Sequence, residues 1–141
     1  LYCGTGSISI FLSSYAKKII GIEVINDAVI AARENAKINN INNSTFIQGD
    51  VKEALKKRNI LSKKPDVIIV DPPRNGLDKL VVESIIKSNV PKIVYVSCNT
   101  ATQARDLNIF ANCYNITKSQ AIDMFPQTYH VENVVLLEKI F

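Results

Sequence analysis

The 141-residue sequence is poor in the residues that would define several large protein classes. It has only three cysteines, Cys3, Cys98 and Cys113, an odd set with no CxxC spacing. That argues against a disulfide framework and a structural zinc site, and for reduced thiols in the cytosol; no metal site is expected. There is one histidine, His130, so no paired-imidazole chemistry is open to it. No run of 18 apolar residues exists, which argues against a membrane-spanning helix, and no signal-peptide pattern is visible. A cytoplasmic location is the resulting expectation. Internal repeats and low-complexity segments are missing too. The charge excess is small, a net +4, compatible with a nucleic-acid partner but too weak to demand one.

What is present is a strongly alternating chain. At 47% hydrophobic, it can fill a two-sided core within one domain. Apolar runs at residues 18–24, 44–48, 66–70 and 93–96 read as strands, separated by helical patterns over 8–15, 26–39, 51–61 and 77–88. A further helix over 100–112 and strands over 114–124 and 131–140 follow. The order predicts an α/β fold: a doubly wound, mostly parallel sheet whose last strand is antiparallel, paired with its predecessor at a sheet edge. Lys56, Lys57, Arg58, Lys63 and Lys64 read as a solvated face. The chain opens at Leu1 inside what reads as a working loop. The expectation is one domain over 1–141, cut from a longer protein and lacking the start of its first strand.

The candidate functional residues fall at strand ends, where α/β sheets place their ligand crevices. Gly4 and Gly6, in Leu1-Tyr2-Cys3-Gly4-Thr5-Gly6-Ser7, permit positive φ and close approach of backbone to a ligand. A dinucleotide fingerprint needs a third glycine three residues on, where Ser9 stands, so a nicotinamide site is disfavoured. Glu23 ends the next strand and could accept both hydroxyls of a ribose. Asp50 could accept from an adenine amino group or cap the helix that follows, and the sequence leaves both open. Asn26 is expected to be the N-cap of its helix. Asp71-Pro72-Pro73-Arg74-Asn75-Gly76 is a loop stiffened by two prolines, holding Asp71 and Arg74 in fixed directions. Amino-methyltransferases carry an aromatic after such prolines; here Arg74 stands there. Ile93 to Val96 form a strand ending in Ser97-Cys98-Asn99, which aims a thiol into a pocket.

Taken together, these motifs resemble the RNA 5-methyluridine (uracil-C5) methyltransferases, which act on 23S ribosomal RNA or tRNA. The likeness covers the whole chain: Leu-Tyr-Cys-Gly-Thr-Gly (1–6), Gly-Ile-Glu (21–23), Gly-Asp (49–50), Asp-Pro-Pro-Arg-Asn-Gly (71–76), Val-Ser-Cys-Asn (96–99), Ala-Arg-Asp-Leu (104–107) and Asp-Met-Phe-Pro-Gln-Thr-Tyr-His-Val-Glu (123–132). The first three are generic to cofactor-binding α/β folds; the last four are specific. One departure stands out: the family usually has proline after Cys-Asn, where this chain has Thr100. The resemblance implies a class I, Rossmann-like fold using S-adenosylmethionine, bound by Tyr2, Gly4, Gly6, Ser7, Glu23, Asp50 and Asp71. It also implies RNA as partner, ribosomal rather than transfer RNA. Cys98 would be the nucleophile and Glu132 the base that removes the C5 proton. The alternative is a cofactor-binding module without turnover by itself.

The residue types suit that chemistry. Uracil C5 is a poor nucleophile until a thiolate adds at C6 and makes C5 carbanion-like. An unperturbed thiol of pKa about 8.5 is only ~3% ionised at pH 7, a deficit of ~2 kcal/mol. The loop cation Arg74 is the candidate to offset it.

Overall fold

The computed structural model describes residues 1–56, 60, 64–124 and 126–140. The helix end expected near Leu61, the side chains of Lys57, Arg58 and Lys63, and Phe125 lie outside the described residues. The chain divides into two compact units, Leu1–Ala54 and Leu55–Phe141.

The first unit begins with a glycine turn that leads into α1 (Ser7–Phe11) and a separate 3₁₀ turn over Ser13–Tyr15. A continuous helix over 8–15 was expected. It breaks at Leu12, where two serines of modest helix propensity follow. Strand β1 (Ile19–Glu23), helix α2 (Asn26–Ile38) and strand β2 (Ser44–Gln48) come next, and α3 (Val51–Lys56) starts at the unit's end. β1 and β2 are parallel, with Gly21 opposite Phe46. Val29, Ala32 and Ala36, spaced along one face of α2, pack with Phe46 as a buried cluster, and Cys3 and Ile41 lie against it. Asn26 is not the cap of α2. Ile25 takes the N-cap position with no side-chain cap, and its N–H donates instead to Glu23 Oε1 at 3.0 Å. A strand-end carboxylate has replaced the expected local cap.

The second unit contains β3 (Val67–Val70), α4 (Lys79–Ser88), β4 (Lys92–Ser97), α5 (Thr100–Phe110), β5 (Tyr114–Ile122) and β6 (Glu132–Lys139). Its sheet has the order β3-β4-β6-β5. β3 and β4 are parallel, and β6 runs antiparallel to both its neighbours. The last strand of the chain is therefore not the outermost in space. It slides between β4 and β5, and β5 forms the edge. Asp78 caps α4 by accepting from Leu80 N–H at 2.8 Å, and α4 buries Val81, Val82 and Ile85. Along β4 the side chains of Ile93, Tyr95 and Ser97 are buried, the period-two signature of a packed strand face. Phe110 and Tyr114 meet edge to face with ring centroids 5.9 Å apart.

Candidate active site

In the first unit the backbone positions the functional groups. Gly4 and Gly6 have φ of +50° and +83°, a region that disfavours residues with a Cβ. A Cβ on Gly6 would lie 3.0 Å from the Phe46 ring, whereas Gly4 faces open space. Gly4 N–H donates to Glu23 Oε2 at 3.0 Å, and Gly49 N–H donates to the Glu23 carbonyl at 2.9 Å. The buried Glu23 thus binds the glycine turn, the start of α2 and the end of β2 together. A carboxylate offers about four acceptor positions, of which these backbone donors take two. The remainder, beside the open face of Gly4, can receive hydroxyl donors such as those of a ribose. Tyr2, with φ +59°, and Ser7, at the start of α1, flank the same turn. Asp50 Oδ1 accepts from Glu53 N–H at 3.1 Å, so it caps the first turn of α3. Nearby Cys3 titrates above its ordinary range, because burial disfavours the thiolate and Glu23 adds negative charge.

In the second unit side chains do the positioning. Cys98 follows β4 and immediately precedes the N-cap of α5. It opens on a cavity of about 200 Å³ shared with Arg74, Asn99, Thr100, Tyr129, His130 and Val131. That is below the ~300–1,000 Å³ of drug-sized sites and on the scale of a single ring. Asn99 caps α5: its Oδ1 accepts from Ala101 N–H at 3.1 Å and Thr102 N–H at 3.4 Å, and its Nδ2 donates to the Arg74 carbonyl at 3.0 Å. Thr102 Oγ1 also donates to that carbonyl at 3.0 Å. Ser97 Oγ, buried, accepts from Asn99 N–H at 3.1 Å and donates to the Asn99 carbonyl at 3.0 Å. The residues on either side of the thiol are therefore pinned. Arg74 and the positive end of α5 bring favourable potential for an anion to this cavity. Arg74 Nη2 meets His130 Nε2 at 3.4 Å. Arginine only donates, so a hydrogen bond there requires Nε2 to be the ring nitrogen without a proton. The Tyr129 ring tilts against His130 with centroids 4.1 Å apart and is 90% exposed.

Glu132 reaches this place because β6 is antiparallel. The β4–β6 register ends with Ser97 opposite Asn133, so Glu132, the first residue of β6, lies one step beyond that pair on the side toward which β4 runs into Cys98. A residue at the start of a parallel strand would lie at the far end of the sheet. Buried Gln103 of α5 fixes this junction: Nε2 donates to the carbonyls of Tyr95 at 3.0 Å and Asn133 at 3.1 Å, and Oε1 accepts from Asn133 Nδ2 at 2.7 Å. Asp71 titrates above the usual carboxylate range although its surface is exposed, because partial withdrawal from water and the negative charge of Glu132 both oppose ionisation. Asp71 therefore feels the Glu132 end of the Cys98 region. The sequence reading missed Thr102 and Gln103. The spacing of Thr102 from Asn99 was available as a helix-start signal; nothing local marks Gln103, whose partners are strand carbonyls.

A parallel α/β arrangement with a reversed final strand, and functional groups gathered at strand ends, is the fold of class I S-adenosylmethionine-dependent methyltransferases. An rRNA methylase from Streptococcus thermophilus shares this fold with a TM-score of 0.75 at 14% identity, over 99% of this chain and 83% of that one. Residues 1–140 match the tRNA (Uracil-5-)-methyltransferase family, and the chain belongs to that family. An uncharacterized RNA methyltransferase of Clostridium tetani is 51% identical over 140 residues, covering 99% of this chain and 30% of the relative. A Bacteroides thetaiotaomicron relative of the same description is 50% identical over 139 residues, 98% of this chain and 31% of its own. The tRNA (uracil-54, C5)-methyltransferase of Pyrococcus abyssi, solved with S-adenosyl-L-homocysteine, superposes with a TM-score of 0.85 at 37% identity, over 96% of this chain and 32% of that one. The chain thus spans about a third of the length of the relatives it matches.

Proposed function

We propose that this chain is the methyl-transferring part of an RNA (uracil-5-)-methyltransferase, with Cys98 as nucleophile and Glu132 as base. One observation supports the reading: the antiparallel β4–β6 ladder brings the start of β6, which opens with Glu132, to the end of β4 that leads into Cys98, and Cys98 shares a single-ring cavity with Arg74 and Val131. S-adenosylmethionine, when bound, supplies the methyl group as an electrophile. Glu23 accepts from its ribose hydroxyls, Gly4 and Gly6 let it approach the backbone, Tyr2 and Ser7 flank it, and Asp50 keeps its second oxygen for an adenine amino group. The Pyrococcus abyssi enzyme, with S-adenosyl-L-homocysteine in a like fold, supports that assignment.

Cys98 Sγ adds to C6 of a flipped uracil, and the C5–C6 π electrons move onto the ring as an enolate that is nucleophilic at C5. Once C5 carries its methyl group, Glu132 takes the C5 proton. Those C–H electrons restore the C5–C6 double bond, and the C6–S pair leaves as thiolate. Arg74 and the first turn of α5 favour the anionic sulfur at both ends of the cycle. Tyr129 offers an exposed ring at the mouth of the cavity, a surface on which a base can stack.

The test uses the full-length protein, S-adenosylmethionine, and 23S ribosomal RNA and tRNA fragments containing 5-fluorouridine. Fluorine at C5 cannot leave as a proton, so the enzyme should be trapped as an adduct of protein, RNA and one methyl group, lost in Cys98→Ala. A wild-type protein that binds the cofactor but forms no adduct with either RNA would overturn the reading in favour of a binding module without turnover.

A further inference from the structure

The motif Arg105-Asp106 has no part in the chemistry above, yet it makes a dense polar cluster in the second unit. Asp106 is fully buried. Its Oδ2 accepts from Leu77 N–H and from the Tyr95 hydroxyl, both at 2.7 Å. Its Oδ1 accepts from Arg105 Nε at 2.9 Å and Nη2 at 2.7 Å. All four acceptor positions of the carboxylate are thus filled. Arg105 Nη2 goes on to the carbonyls of Asn75 at 3.0 Å and Leu77 at 3.4 Å. Gly76, with φ +76°, lies flat against the cluster. A Cβ there would come within 2.6 Å of Asp106 Oδ2 and 2.7 Å of Arg105 Nη2. The loop is therefore bolted to α5 and β4 at residues 75–77, just as Asn99 and Thr102 hold it at the Arg74 carbonyl.

We infer that Asp106, braced by Arg105, is a positioning residue that fixes the 71–77 loop so that Arg74 stays in the cavity of Cys98. A buried ion pair is a weak source of stability, since desolvation offsets its attraction, but its directional bonds define one geometry. Here four bonds converge from a loop amide, a strand phenol and a helix guanidinium. Arg74 is exposed and leaves that loop two residues before Gly76. The hold on the loop is what keeps Arg74 in the lining of the cavity that Cys98 shares.

The inference rests on the role proposed for Cys98, but it is read without RNA or methyl transfer. In the full-length protein, iodoacetamide labelling at pH 7 is followed peptide by peptide for Cys98 and Cys113. Arg74→Ala should slow Cys98 labelling about three- to tenfold, the size of one partly screened charge interaction. Asp106→Asn should slow it by a similar factor, and the double variant no further, with Cys113 unchanged throughout. Should Asp106→Asn fail to fold, Arg105→Ala replaces it, with Arg105→Lys restoring part of the rate. Labelling of Cys98 at the wild-type rate in these variants, factors that multiply in the double variant, or a parallel change at Cys113 would each overturn the inference. A wild type that labels as expected but methylates no RNA would overturn the proposed function alone.

Discussion

The two units hold their functional groups by different means. In Leu1–Ala54 the main chain does the work: Glu23 is fixed by the N–H groups of Gly4 and Ile25, and the turn itself by positive-φ glycines. In Leu55–Phe141 the same task falls to side chains, with Asn99, Thr102, Gln103, Arg105 and Asp106 on one helix each reaching strand or loop atoms. A backbone-built site tolerates a wide change of sequence as long as its glycines stay. A side-chain-built site does not, and this half carries the motifs on which the resemblance to uracil-C5 enzymes chiefly rests. The two therefore differ in how they should break.

The largest effects belong to the side-chain-built half. Cys98→Ala should lower methyl transfer by at least ~10³-fold, as removal of a covalent nucleophile does, with cofactor affinity unchanged by calorimetry. Glu132→Gln should leave addition intact and block elimination, so a Cys98–RNA adduct should accumulate on ordinary uridine and be visible on a denaturing gel. Turnover at the wild-type rate in Glu132→Gln would remove Glu132 from the mechanism.

Next comes a steric break of the backbone-built half. A Cβ on Gly21 would lie 2.6 Å from Phe46 Cδ1 and 2.8 Å from Cys3 Sγ. Gly21→Ala should cost about 1–3 kcal/mol by overpacking, measured by denaturant unfolding, and Phe46→Leu in the same chain should recover part of it. Full additivity of the two changes would show that the contact is not the cause.

Smaller still is a pH effect. The folded state raises the Asp71 pKa, so it binds that proton more tightly than the unfolded chain does, and ionised Asp71 weakens the fold. Asp71→Asn should therefore raise the unfolding midpoint at neutral pH. The gain should fade as pH falls through the folded pKa and vanish below the ordinary value of 3.8. Glu132→Gln should shrink the gain.

The smallest expected effect is at the surface. Lys92 Nζ lies 2.9 Å from Glu138 Oε1 across the β4–β6 pair, and this contact lowers the Glu138 pKa. Lys92→Ala should cause a slight loss of stability that disappears in high salt and as pH falls below the carboxylate range.

Much of this arrangement was legible in the sequence. Strand β2 lies where its residues were read, Ser44 to Gln48, and the residues from Ser97 to Asn99 do form a strand end that opens on a cavity. Asp50 keeps the capping role that its position before a helix suggested. The errors share one cause. Asn26 was read as a cap from its local neighbours, but a carboxylate two residues upstream of the cap position had already satisfied the Ile25 amide. Gln103 went unnoticed because its partners are strand carbonyls, one of them 30 residues away, and Thr102, though its spacing from Asn99 marks a helix start, gives no local sign of its bond to the Arg74 carbonyl 28 residues away. The place of β6 between β4 and β5 was equally hidden. Periodicity tells that a strand is half-buried, not which two strands will flank it.

That place has a consequence for the order in which the molecule is made. Chains leave the ribosome from their N-terminus, and domains generally fold as units in that order. β5 is synthesised before β6 yet has no partner in the sheet until β6 arrives to fill the gap beside β4. The thiol at residue 98 is likewise made before the carboxylate at residue 132 that opens β6. The proposed nucleophile and its proposed base thus belong to one completed sheet only once its final strand is in place.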